Sequence, residues 1–175
     1  MYLRTLPLLL AITASLAVHS VQAATTGTLT FKGQVNAGTC NLAAGDVSRT
    51  INLPTVKISD FDATPSAGFI DFEVSADCES DIRNVIFLLT GTPSTGNGGL
   101  FANTGTSGGI ATRLESRAAP VGVILANGTE AQRSRTIATS NKKAVFPLKA
   151  AYQKTGAAIT QGTLVSAVTL SITYN

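Results

Sequence analysis

The chain has 175 residues, 44% of them hydrophobic and only 13% charged, with 16 Gly, two Cys, one His and no Trp. That composition fits one ordinary domain; the chain is too short for two full domains and too apolar to stay disordered. The formal charge of +3 is scattered along the chain. No basic stripe or acidic tail announces a nucleic-acid partner.

Residues 1–23 read as a secretory signal peptide: Arg4 gives a positive start, 6–18 an apolar run, and Val21-Gln22-Ala23 a small-residue cleavage site. The run, broken by Pro7, is short against the roughly 20 residues that span a bilayer. No stable membrane insertion is expected. Cleavage after Ala23 would remove the single His, His19, and the single Met, Met1. Ser–His and Cys–His catalysis then lack their base, and an imidazole-held zinc site lacks its ligand. Cys40 and Cys78 are too few for a cysteine-only zinc site. In an exported chain an even pair reads as a disulfide, with a free reactive thiol as the alternative. Closing that 38-residue loop would be worth about 4 kcal/mol on chain-entropy grounds.

No segment keeps apolar spacing of three and four over the length that a helix needs, whereas period-two alternation recurs, so the chain reads as all-β. Strands are expected at 28–35, 51–53, 69–74, 85–89, 121–125, 145–152 and 164–174. Six or seven strands in one exported domain point to a sandwich. Residues 93–109 hold six glycines among Ser, Thr and Asn and read as a surface loop; no Gly-Lys-Ser or Gly-Lys-Thr follows to make them a phosphate cradle. Asn127-Gly128 reads as a tight turn. Arg113, Arg117, Arg133, Arg135, Lys142 and Lys143 lack aromatic neighbours in sequence and read as a solvated surface. Asp60, Asp62 and Asp71, candidates for a carboxylate-based hydrolase, show no supporting spacing and read as loop and strand-face residues.

The two ends differ from ordinary sandwich strands. Gly27, Leu29, Phe31, Gly33 and Val35 share one face of the first strand, and the intervening positions are mostly polar. With no hairpin partner nearby, it reads either as an edge strand of its own domain or as a strand meant for another molecule. In the last strand Leu164, Val168, Leu170, Ile172 and Tyr174 share a face, and no strand follows to cover its ladder. An exposed apolar edge aggregates unless something covers it. Taken together, the ends suggest a sandwich lacking its final strand, with the gap filled in trans.

Several features recur in a fixed order. The opening Gly27-x-Leu29-x-Phe31-x-Gly33-x-Val35 leads to Cys40, and Cys78 follows the 69–74 strand. Val121-Gly122-Val123-Ile124-Leu125 ends in Asn127-Gly128, and Phe146-Pro147-Leu148 runs on to Tyr152; Gly162 stands fourteen residues from the C-terminus and Tyr174 is penultimate. In this order and spacing the chain resembles the structural subunits (pilins) of fimbriae built by the bacterial chaperone-usher pathway. The resemblance implies an all-β, incomplete immunoglobulin-like β-sandwich of six strands plus an N-terminal donor strand, with one disulfide. It implies a donor extension at 24–34 and a pilin domain at 35–175. Thr25, Gly27, Leu29, Phe31 and Gly33 would form the donor face. Gly162, Leu164, Val168, Leu170, Ile172, Tyr174 and Asn175 would form the acceptor groove and chaperone-binding strand, with the Asn175 carboxylate anchored by basic chaperone residues. The implied partners are neighbouring subunits, a periplasmic chaperone and an outer-membrane usher, with donor-strand complementation as the mode of recognition. The implied product is an extracellular fimbria supporting adhesion, with no enzymatic activity, cofactor or metal. A minor tip or adaptor subunit, or an adhesin of the same fimbria, is the alternative.

Overall fold

A computed structural model describes residues 28–175. They divide into a short segment, 28–35, and a compact unit, Asn36–Asn175. The expected signal peptide, Thr25 and Gly27 lie outside the described residues.

The compact unit is a sandwich of eight strands among the described residues: β1 (Cys40–Leu42), β2 (Ser66–Cys78), β3 (Asn84–Gly91), β4 (Ile110–Ser116), β5 (Gly122–Val123), β6 (Ser134–Ala138), β7 (Lys143–Lys154) and β8 (Val168–Tyr174). One sheet has the order β1-β2-β7-β4-β5 and the other β6-β3-β8, with antiparallel pairing throughout. The only α-helix among the described residues is one turn, α1 (Glu130–Arg133).

Alternation explains which strands form. In β2, Phe69, Asp71, Glu73 and Asp77 face solvent while Val74, Ala76 and Cys78 are buried. In β3, Val85, Phe87 and Leu89 point inward, and in β7 so do Ala144, Phe146, Leu148 and Ala150. Strands with period-two side chains meet in one apolar layer between the sheets. At its centre the Phe87 and Phe146 rings, both fully buried, pack with centroids 5.4 Å apart and planes tilted by 42°. Each such burial contributes about 1.5–3 kcal/mol. Pro147 is tolerated in a central strand because its carbonyl accepts from Arg117 N at 3.0 Å, just past the end of β4. Its missing N–H would point the same way, at Arg117 one residue past the end of β4, so the ladder forgoes a single bond at its end. Cys40 and Cys78 are directly opposite in the β1–β2 pair and form a disulfide with a 2.05 Å bond.

Five expectations change. Residues 28–35 form no strand; an extended segment becomes a strand only with a ladder partner. Residues 51–53 form none either, although Leu53 packs against the core. The 121–125 strand shrinks to β5, because Gly128 N bonds back to Leu125 O at 2.9 Å and turns the chain at Asn127-Gly128. The 164–174 strand begins only at Val168. Arg135 is not a solvated surface residue: it is 6% exposed, donates from Nε to Pro120 O and from Nη1 to Ser134 O, and burial lowers its pKa. The strands β1, β4 and β6 emerge only in the structure. In β4 the inward positions include Thr112 and Ser116, so an apolar count along the sequence passes over it. Asp60 caps its own turn by accepting from Lys57 N, and Asp71 sits on the outer face of β2 beside Arg117 and Lys149.

The Phe87–Phe146 contact yields a direct test. Phe146→Ala should lower stability by about 3–5 kcal/mol, read as a shift of the urea unfolding midpoint with the slope unchanged.

Candidate strand-pairing groove

Among the described residues, β8 ends its sheet and pairs only with β3. Asn84 and Asn175 exchange both backbone bonds, each at 3.2 Å. Bonded pairs recur at every second position of an antiparallel ladder, so Thr173, Ser171 and Thr169 direct their backbone groups at β3. Val168, Leu170, Ile172 and Tyr174 direct theirs the other way, to the open side. The same four residues carry the apolar side chains of the strand. Val168, Leu170 and Ile172 pack half-buried against the core, and Tyr174 is more exposed.

β1 bounds the other sheet in the same manner. Glu79 N donates to Thr39 O at 2.9 Å and Ala43 N to Ser75 O at 2.9 Å, so Cys40 and Leu42 turn their backbone groups away from β2. Cα atoms of β1 and β8 come within 8 Å of one another. Two open edges thus adjoin over Leu42, Val168, Leu170 and Ile172, all of them half-buried or buried parts of the same core. Among the described residues, the arrangement is a strip of backbone donors and acceptors without a strand partner above an apolar floor.

Ahead of β8 the chain is held differently. Val165 N donates to Asn103 Oδ1 at 2.9 Å, Thr104 N to Val165 O at 2.8 Å, and Ser107 N to Thr163 O at 3.0 Å. Ser166 Oγ donates to Ala102 O at 2.7 Å and meets the Thr112 hydroxyl at 2.7 Å. These side-chain bonds compete with a regular ladder, which is why the strand starts late. Leu164, half-buried, lies in this stretch, four residues before β8. Gly162 lies there too: a Cβ on it would press into the Ser107 nitrogen and the Thr106 backbone. The glycine-rich loop at 93–109 is therefore not a loose loop over its second half. It forms a close seam with 157–166, and the Thr, Ser and Asn residues that sequence reasoning left as punctuation are its fasteners.

The segment 28–35, taken by itself, has no regular secondary structure and is exposed. Leu29 is 82% exposed, Phe31 89% and Val35 99%, and Gly33 has open space around it.

The family described as Fimbrial protein matches residues 29–175, most of the chain. The chain belongs to the fimbrial protein family. No curated protein sequence matches it. Among solved structures, the rod subunit of the P pilus, PapA, is similar with a TM-score of 0.63 at 18% identity, over 78% of this chain and 99% of that one. A chaperone-usher pilus studied for rod uncoiling gives 0.62 at 18% identity, over 86% and 96%. A tip adhesin from Pseudomonas aeruginosa gives 0.50 at 16% identity, over 62% of this chain but 30% of that one. These likenesses establish the fold as the immunoglobulin-like sandwich of pilus subunits. The family places this fimbrial protein in an extracellular pilus. Among the described residues, no helix is long and apolar enough to cross a membrane.

Backbone atoms oppose position 162 and cannot swing aside as a side-chain tip would. Gly162→Ala should therefore cost about 1–3 kcal/mol, visible as a lower thermal midpoint and faster amide exchange at Ser107.

Proposed function

We propose that this chain is a structural, non-enzymatic subunit of a chaperone-usher fimbria that polymerises by donor-strand exchange and supports adhesion. The extension 24–34 of one copy pairs with the open edge of β8 in the next. Thr25, Gly27, Leu29, Phe31 and Gly33 form the donor face, and Leu164, Val168, Leu170, Ile172 and Tyr174 line the acceptor groove. The pilin domain, 35–175, follows the extension. The observation that carries this reading is a match of needs: among the described residues β8 presents N–H and C=O groups without a strand partner over apolar side chains, and 28–35 presents exposed apolar side chains at alternate positions.

The energetics fit such a joint. Each ladder hydrogen bond contributes about 0.5–1.5 kcal/mol net, and burying Leu29 or Phe31 about 1.5–3 kcal/mol. A ladder of several bonds rivals the two anchors, while alternate side chains fix the register. A subunit that gives at one end and receives at the other makes a heterologous contact that does not close, so it builds a filament. Until that contact forms, the open edge requires a cover, the role proposed for a periplasmic chaperone before transfer at an outer-membrane usher. The likeness to the P pilus rod subunit, over 99% of that chain, supports a rod-type reading.

On a denaturing gel run without boiling, the wild type should give a ladder of multimers that collapses to one band after hot acid. Phe31→Arg should reduce that ladder at least tenfold while leaving recovery of the folded subunit unchanged. A full ladder from the variant would overturn the donor assignment.

A further inference from the structure

The turn that joins β2 to β3 holds two separated parts of the chain at once. Its first half grips the residues from which the N-terminal segment departs. Asp81 Oδ2 accepts from Gly38 N at 2.7 Å, Glu79 Oε2 accepts from Thr39 N at 2.9 Å, and Glu79 N donates to Thr39 O at 2.9 Å. The Cys40–Cys78 disulfide follows directly. A Cβ at position 38 would run into both carboxylates, so the glycine is what lets them close on two successive backbone N–H groups. The second half of the turn grips the end of β8. Arg83 N and Asn84 N both donate to Asn175 O, at 3.0 and 3.2 Å, and Asn84 Nδ2 donates to Asn175 Oδ1 at 3.3 Å. Ile82, between the two halves, is 5% exposed and belongs to the core.

We propose that Glu79 and Asp81 are positioning residues for strand donation: they fix the direction in which the chain leaves the domain at Gly38 relative to the end of β8, and so set the angle between successive subunits in the fibre. This rests on the donor-strand reading above. Hydrogen bonds from backbone N–H to a carboxylate are charge-assisted and stronger than neutral ones. Two of them on adjacent residues, next to a disulfide, convert the root of the N-terminal segment into a fixed bracket. The apolar residues beyond it supply attachment, and the bracket supplies aim. Fixing the root in advance also lowers the ordering cost of the joint.

The test uses the full chain with Glu79→Ala and Asp81→Ala together. The variant should polymerise to the gel ladder of the wild type, exchange its Gly38 and Thr39 amides at least tenfold faster, and give fibres whose subunit repeat, measured by electron microscopy, is irregular. Glu79→Gln with Asp81→Asn keeps an oxygen acceptor at each position and should restore much of the regular repeat; it also serves as the variant to read if the alanine pair does not fold. Fibres of wild-type repeat despite faster exchange at 38 and 39, or amides whose exchange does not change, would overturn the proposal. A wild type without any multimer ladder would overturn the donor-strand reading and this proposal with it. Wild-type ladders with unaltered variant fibres overturn this proposal alone.

Discussion

Every β-strand has two edges, and the groups on each must be satisfied by another strand, a side chain or water. Among the described residues of this fimbrial protein, β8 satisfies one edge against β3 and leaves the other open. The rest of the architecture follows from that constraint. The floor beneath the open edge is apolar and continuous with the core, so water is a poor substitute for a strand. The opposing sheet ends in β1, which is also open on its outer side. A segment with apolar residues at alternate positions fits both needs, and such a segment precedes Cys40.

The sandwich spends its polar residues on holding this edge in place. Thr163, Val165 and Ser166 are tied to the loop at 102–107 through Asn103, Thr104 and Ser107. At the other end of β8, Asn175 is tied to the β2–β3 turn. The edge is thus clamped at both termini while, among the described residues, its middle stays open, the form that the proposed strand exchange requires. The outer face of the five-stranded sheet serves a different purpose. Its pairs, Asp71 with Arg117 and Asp77 with Lys143, are exposed; such pairs contribute little to stability and keep the face soluble.

Much of this was legible in the sequence wherever one apolar period dominates. β2, β3 and β7 announce themselves because inward positions are Val, Phe, Leu and Ala and outward ones are polar or charged. The disulfide was legible from an even cysteine pair in a chain read as exported, and β8 from the alternation of its last residues. β4 and β6 were not, because Thr112, Ser116 and Arg135 occupy inward positions and are satisfied by specific hydrogen bonds rather than by hydrophobicity. Nor was the seam between 102–109 and 157–166. Glycines required for close backbone approach look the same in sequence as glycines in a slack loop. The strand expected at 28–35 shows the converse: its alternation is real, but among the described residues it pairs with no other strand.

Amide exchange along β8, measured before and after polymerisation, tests the central claim most directly. The Thr169, Ser171 and Thr173 amides face β3 and should be protected in both states. The Leu170, Ile172 and Tyr174 amides face the open side and should gain protection only in the polymer, together with amides of Leu29 and Phe31. Open-side amides that exchange equally fast in the polymer would contradict the account, because the edge on which it depends would still be unfilled.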